Sequence, residues 1–146
     1  MILVVDASVA IKWFLRSRPD EEDSERALRL LEGAASGAHS LIAPPHFVAE
    51  VAAVLAREKP RAAAADLNDL QEILFERADS PEVYARAMTL AIRLDHHVFD
   101  TLYHAAALCR PGATLVTADR RYYGKARLEG RISLLADLDS DRKSNV

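Results

Sequence analysis

Apolar residues along the chain follow two spacings, one typical of buried strands and one typical of helices. Short runs rich in branched residues predict four strands, at residues 2–5, 41–43, 114–117 and 132–135. Apolar residues at helical spacing predict helices at 7–15, 25–35, 46–58, 61–76, 81–94, 98–109 and 120–127. Because strands alternate with helices, we expect an α/β domain whose parallel sheet is covered by helices on both faces.

The boundaries of some elements depend on proline and glycine. Arg110-Pro111-Gly112 ends the helix that begins near Val98, since proline cannot continue a helix and glycine readily takes left-handed dihedrals. The pattern leaves open whether residues 73–78, ILFERA, continue a helix or are extended. A break is expected near Gly124 in the short helix at 120–127.

Length, charge and cysteine content narrow the class of protein. The chain has 146 residues, which predicts one domain at residues 1–138 and a polar tail at 139–146. A net charge of -3 disfavours a surface that binds nucleic acid everywhere, but it is compatible with an acidic pocket and a basic rim. A single cysteine excludes an intramolecular disulfide and suits the cytoplasm. Asp6 and Lys12 interrupt the apolar start, so we expect neither a signal peptide nor a membrane span.

Two aspartates lie just after the ends of predicted strands. Asp6 comes after ILVV, and Asp119 comes shortly after TLVT. In a doubly wound sheet, sites form at the carboxyl ends of the strands, so both aspartates are candidate site residues. The structural alternative is that each caps the helix that follows it, which aspartate does well.

Two further acids lie on predicted helices. Glu50 faces the same way as Phe47, Val51 and Val54, and an unpaired carboxylate on that apolar side is costly to ionise. It therefore either reaches solvent at the edge of the stripe or meets a cation. Asp100 lies in the first turn of its helix, where the helix dipole by itself favours an acid.

Together, the four acids favour a metal site. Carboxylates brought close to one another raise their own pKa values unless positive charge is present. Oxygen ligands without a cysteine or histidine cluster favour Mg²⁺ or Mn²⁺ over zinc. Ser8 and Thr117 are placed to orient a carboxylate or a water, with turn chemistry and strand propensity as the alternative. Surface or core-edge positions are expected for the five histidines, His39, His46, His96, His97 and His104.

Four motifs in this order resemble those of PIN domains, and in particular VapC-type toxin ribonucleases. They are VVDASV, PHFVAEV, VFDTLYHAAA and LVTADRR, and the resemblance extends from Ile2 to Leu138. It implies a three-layer α/β/α sandwich, metal-dependent RNA cleavage, homodimers and a cognate antitoxin whose arm covers the site. The family's four acids correspond to Asp6 in D-x-S with Ser8, Glu50, Asp100 in D-x-x-Y with Tyr103, and Asp119 in T-A-D with Thr117.

The chain departs from the family pattern within one helix and the turn that follows it. Thr101 and His104 stand where alanine and an apolar residue are more usual, and Pro111 tightens the turn. None of these residues is one of the acids. We therefore expect the departures to affect preference for substrate or partner and not the chemistry.

The expected function is that of a metal-dependent endoribonuclease. Tyr122 and Tyr123 are candidates for stacking on unpaired bases, whereas Trp13 suits the core better. Candidates for contacting RNA phosphates, with solvated surface charge as the alternative for each, are Arg16, Arg120, Arg121 and Lys125.

Two other functions remain open at this point. One is a magnesium-dependent phosphohydrolase with Asp6 as nucleophile, although such sites usually carry a second acid where Ser8 stands here. The other is a catalytically silent binding module. An antitoxin would cover apolar surface on the helices at 25–35 and 46–58, unless those stripes are simply core.

Overall fold

A five-stranded parallel sheet forms the centre of the computed structural model, which describes residues 1–138. Its strands are β1 (Ile2–Val5), β2 (Ser40–Ala43), β3 (Glu76–Arg77), β4 (Ala113–Thr117) and β5 (Ile132–Leu134). Their order across the sheet is β3-β2-β1-β4-β5, and every neighbouring pair is parallel. The first strand of the chain is therefore the central strand of the sheet, with a crossover connection on each side.

Helices cover both faces of this sheet, which confirms the expected three-layer α/β/α sandwich. They are α1 (Ala7–Ala10), α2 (Ser24–Ala35), α3 (Phe47–Glu58), α4 (Ala63–Glu72), α5 (Pro81–Leu94), α6 (Val98–Leu108) and α7 (Arg120–Ala126). Within residues 1–138, no helix has the length and apolar character that crossing a membrane requires. The predicted tail at 139–146 lies outside the described residues.

Two elements differ from the sequence prediction, and the structure decides a third point that the pattern left open. The helix after Asp6 is one α-helical turn, α1, which continues as a 3₁₀ turn only as far as Trp13. Residues 73–78, which the sequence pattern left as either helix or extended chain, are extended and contain β3, which pairs with β2 at the edge of the sheet. α7 continues through Gly124 without the expected break. A single glycine weakens a helix by only about 1 kcal/mol, which surrounding contacts offset.

Helix α6 is buried along most of its length. Every residue from Thr101 to Ala107 is buried, because α6 packs on β1 and β4 on one side and on α5 on the other. Phe99 was predicted to lie on the apolar face of this helix, but it is 61% exposed. It lies in the first turn, outside the part of the helix that α5 and the sheet enclose.

Thr101 and His104 hold α6 against its neighbours. The hydroxyl of Thr101 donates to the carbonyl oxygen of Ala87 on α5 at 2.7 Å. Nδ1 of His104 lies 2.9 Å from the hydroxyl of Tyr122, and Nε2 donates to the carbonyl oxygen of Gly130 at 2.8 Å. Both side chains are fully buried, so any effect that they have on substrate or partner preference cannot come from direct contact.

The apolar stripes of α2 and α3 belong to the core of the chain. Ala27 and Leu30 on α2, and Phe47, Val51 and Leu55 on α3, are all buried within one cluster. These faces are therefore already covered and cannot serve as the antitoxin surface considered above.

Trp13 is buried in the same cluster, and its Nε1 donates to the carbonyl oxygen of Ala27 at 2.9 Å. The core position preferred from the sequence is therefore confirmed, and Trp13 cannot stack on a base.

We expect His104→Leu to destabilise the protein by about 1–3 kcal/mol, because the hydroxyl of Tyr122 and the carbonyl of Gly130 lose their buried partner. Urea unfolding followed by circular dichroism measures this. The matched control is His97→Leu, at an exposed position. Equal losses in the two variants would contradict a structural role for the buried histidine.

Candidate metal centre at the carboxyl edge of the sheet

Asp6 is held by hydrogen bonds on both carboxylate oxygens. It directly follows β1, and its Oδ1 accepts from the hydroxyl of Ser8 and from the backbone N–H of Val9 at 3.3 Å. Its Oδ2 accepts from the hydroxyl of Thr117 at the end of β4. Asp6 therefore caps α1, which is the structural alternative drawn from the sequence, and it also joins the ends of two neighbouring strands.

The electrostatic environment of Asp6 is unfavourable for a negative charge. The pKa of Asp6 is raised from 3.8 to about 6, chiefly by burial, although the hydrogen bonds from Ser8, Thr117 and Val9 lower it. The charge of Asp119 raises the pKa further. Among residues 1–138, no basic side chain forms an ion pair with Asp6. The site therefore lacks the positive charge that a buried carboxylate needs.

Asp119 is attached to the same network. Its Oδ1 accepts from the backbone N–H of Tyr122 at 3.0 Å, which caps α7, and its own N–H donates to the hydroxyl of Thr117 at 3.0 Å. Since Thr117 donates in turn to Asp6, one threonine connects the two acids. The loop after β4 is fixed at a second point, because the N–H of Ala118 donates to the hydroxyl of Ser8 at 3.0 Å.

Glu50 projects from α3 toward the same edge. The hydroxyl of Tyr103 donates to its Oε2 at 2.9 Å. Burial raises the pKa of Glu50, the nearby charge of Asp100 raises it further, and the bond from Tyr103 opposes both effects. Nε2 of His46 lies 3.5 Å from Oε1 but 2.6 Å from the carbonyl oxygen of Phe99, and burial lowers the pKa of His46. Glu50 therefore also lacks a strong positive partner.

Asp100 lies in the first turn of α6 and contacts a histidine. Nε2 of His96 lies 2.7 Å from Oδ2 of Asp100. One ligand atom from each of His96, Asp100 and Asp119 lies within 4.8 Å of the other two, a spacing that suits a bound cation. Asp6 and Glu50 are outside this trio. His96 was not among the site residues expected from the sequence, although its i, i+4 spacing to Asp100 was an available signal.

All four acids nevertheless lie close enough together for their charges to act on one or both of two tyrosine side chains. The charges of Glu50, Asp6 and Asp100 all raise the pKa of the Tyr103 hydroxyl, beyond the effect of its burial. Asp100, Asp6 and Asp119 act in the same way on Tyr122. Residues separated by more than a hundred positions in the chain therefore meet at the carboxyl edge of the sheet. Their hard oxygen donors and uncompensated charge fit a divalent cation such as Mg²⁺ or Mn²⁺.

The basic residues singled out from the sequence are distributed unevenly. Arg120 and Arg121 directly follow Asp119 and are exposed, and neither forms an ion pair within residues 1–138. Arg16 lies in a separate cleft of about 330 Å³, which none of the four acids lines. Lys125 lies at the site, but its ammonium already donates to the carbonyl oxygen of Asp95 at 2.8 Å.

The two tyrosines of α7 also differ. Tyr122 is buried against His104, so it is not available to stack on a base, whereas Tyr123 is partly exposed.

Fold and site together define a doubly wound α/β domain with an acidic centre at the switch between its central strands. Comparison with protein families matches residues 3–128 to the PIN domain, so the chain belongs to the PIN domain family. Comparison with curated protein sequences gave no match.

Solved structures share this fold at low sequence identity. VapBC-1 from nontypeable Haemophilus influenzae is 15% identical, with a TM-score of 0.63 over 93% of this chain and 99% of that chain. PAE2754 from Pyrobaculum aerophilum is 21% identical, with a TM-score of 0.61 over 94% and 95% of the two chains. VapC20 from Mycobacterium tuberculosis, described as a sarcin-ricin loop cleaving toxin, is 16% identical, with a TM-score of 0.62 over 88% and 98%.

We expect Asp6→Asn to stabilise the metal-free protein at pH 7.5 by about 1–3 kcal/mol. The pKa of Asp6 is higher in the folded state, at about 6, than the usual 3.8, so the unaltered protein loses stability as the pH rises between these values. Asparagine carries no charge to bury and still caps a helix. Urea unfolding in EDTA should therefore show a gain at pH 7.5 that nearly disappears at pH 4.

The control is Asp69→Asn, at an exposed position on α4, for which no such gain is expected. Equal stability of Asp6→Asn and the unaltered protein at pH 7.5 would show that the buried charge carries no cost.

Proposed function

We propose that this chain is a metal-dependent endoribonuclease that hydrolyses RNA phosphodiester bonds and is the toxin of a toxin–antitoxin pair. The observation that carries the proposal is that Asp6, Glu50, Asp100 and Asp119 lie at one sheet edge, where within residues 1–138 no lysine or arginine forms an ion pair with them. Membership of the PIN domain family supports the same chemistry.

The four carboxylates are the groups that would hold Mg²⁺ or Mn²⁺. Their oxygens are hard donors, and Mg²⁺ needs few direct carboxylate bonds because it keeps several waters. When bound, the cation supplies Lewis acidity, which lowers the pKa of a water and stabilises charge on the phosphodiester. Ser8 and Thr117 fix Asp6, and Tyr103 fixes Glu50, so these residues keep the carboxylates in place before the cation arrives.

Arg120 and Arg121 are the best placed of the basic candidates to bind RNA phosphates. They directly follow Asp119, and their exposed guanidinium groups suit the planar, bidentate contacts that phosphate favours. Arg16 lies in a different cleft, and Lys125 already donates to groups of the protein. The acidic centre and the two arginines together fit a substrate whose backbone is anionic and whose scissile bond lies beside divalent charge.

Two partners are part of the proposal. The fold shared with VapBC-1 and with the VapC20 toxin supports a cognate antitoxin here, one that reaches the acidic centre with a basic side chain. A second copy of the chain is the other partner. Helix α5 exposes Tyr84, Met88 and Ile92 at intervals of four residues, which makes an apolar stripe on one face that a homodimer would cover.

A phosphohydrolase with Asp6 as nucleophile is less well supported. Both oxygens of Asp6 accept hydrogen bonds from hydroxyl groups, and the residue two positions on is Ser8 and not a second acid. A silent binding module would have no need of four ionisable acids at one edge. Hydrolysis by an activated water is therefore the preferred reaction.

We expect purified, antitoxin-free protein to cleave structured RNA in Mn²⁺ or Mg²⁺ and to lose cleavage in EDTA. Replacement of any one acid by its amide, as in Asp6→Asn or Glu50→Gln, should reduce the rate by more than about 100-fold, because a carboxylate that would hold the cation is lost. Time courses on denaturing gels measure the cleavage rate, and the same gels map the product ends. Asp69→Asn is the matched control, and full activity of Asp6→Asn would contradict the assignment.

We expect the double variant Arg120→Ala, Arg121→Ala to raise KM for RNA more than it lowers kcat, because phosphate contacts contribute mainly to binding. The slope of log affinity against log salt should become shallower by about 1.4 if both side chains contact single-stranded RNA. Fluorescence anisotropy with catalytically inactive protein measures the slope. Arg16→Ala is the control. If the slope became shallower in that variant instead, the result would contradict the assignment and indicate that RNA binds at the cleft that contains Arg16.

A further inference from the structure

One histidine at the acidic centre has no part in the function proposed above. His96 lies between Lys125 and Asp100, with Nδ1 3.3 Å from the Lys125 ammonium and Nε2 2.7 Å from Oδ2 of Asp100. Its side chain is 8% exposed, and its ring packs against that of Tyr122 with centroids 4.9 Å apart. The imidazole is therefore held in one orientation by contacts on two sides and on its face.

The partner on each side determines where the ring hydrogen lies. A lysine ammonium has only hydrogens to offer, so Nδ1 of His96 accepts from Lys125. In the neutral ring the hydrogen then lies on Nε2, which points at a carboxylate oxygen that can accept it. Lys125 is itself fixed, because it also donates to the carbonyl oxygen of Asp95 at 2.8 Å.

We propose that His96 is a positioning residue for Asp100 and that Lys125 keeps its imidazole in the Nε2–H tautomer. This inference rests on the proposed function, since it assigns a role within the same cation site. A ring nitrogen that carries hydrogen has no lone pair with which to bind a metal ion. His96 therefore acts through Asp100, although its distances alone would also suit a direct ligand.

The physical gain is preorganisation of a carboxylate at a partly exposed position. The Asp100 side chain is 40% exposed and lies in the first turn of α6, outside the enclosed part of that helix. A donor fixed on Oδ2 limits rotation of the carboxylate and leaves Oδ1 available to accept a cation. Groups that orient ligands in this way typically change metal affinity by about 10–100-fold.

The first experiment measures Mn²⁺ affinity by calorimetry in single variants. His96→Leu removes the donor and should weaken binding by about 10–100-fold. His96→Gln can place an amide N–H near the former Nε2 and should recover most of that loss, which a purely structural role would not predict. Lys125→Met should give a smaller loss. His97→Leu, at the exposed neighbouring position, is the control and should bind as the unaltered chain does.

The second experiment observes the ring itself. Long-range ¹H–¹⁵N spectra of the metal-free protein should show hydrogen on Nε2 of His96, and Lys125→Met should populate both tautomers. Electron spin echo spectra of the Mn²⁺-bound protein detect nitrogen atoms that are bound to the ion. We expect no such nitrogen coupling from His96, so the spectra of His96→Gln should match those of the unaltered chain.

Such a nitrogen coupling would overturn the inference, because His96 would then be a ligand. Mn²⁺ binding by His96→Leu equal to that of the unaltered chain would also overturn it, and would leave the nuclease proposal standing. Failure of the unaltered chain to bind Mn²⁺ would instead overturn the proposed function, and the role of His96 with it.

Discussion

The hydrogen bonds that Ser8 and Thr117 make to the two oxygens of Asp6 are the contacts on which the acidic edge depends. They connect the end of the central strand β1 to the end of β4, and the same threonine also holds the backbone at Asp119. Hydroxyl groups can orient a carboxylate without neutralising it, so the negative charge remains while its geometry is fixed. The fold thus keeps a charge that it does not itself balance, and this is the property that makes the edge suitable for a divalent cation.

Much of the fold and part of the site could be predicted from local pattern. Runs of branched residues locate the ends of β1 and β4, and parallel topology then brings Asp6 and Asp119 to one edge of the sheet. β3 carried no such signal, because its two residues, Glu76–Arg77, are charged and exposed, and only backbone pairing with β2 makes them a strand. His96 was not assigned to the site because its second contact, Lys125, comes from a distant helix.

Helix α6 shows why long-range partners limit what a sequence can tell. Thr101 and His104 are polar residues in a helix that is otherwise apolar along its buried length, a pattern compatible with contact to a ligand. Their hydrogen bonds go instead to Ala87 and Gly130, so polarity here fixes the position of the helix. That position matters for chemistry, since α6 carries Asp100 at its exposed end and Tyr103 one turn further on. Substitutions deep in the core can therefore shift two groups of the acidic edge at once.

The central place of β1 in the sheet has a consequence for the timing of synthesis. Within this domain β1 is made before the other strands and pairs with β2 on one side, but its other neighbour, β4, is made only after about a hundred further residues. Until then Asp6 lacks the hydroxyl of Thr117, and Asp119 has yet to be added. An unfinished chain therefore carries no complete acidic centre until translation has passed the fourth strand of the sequence.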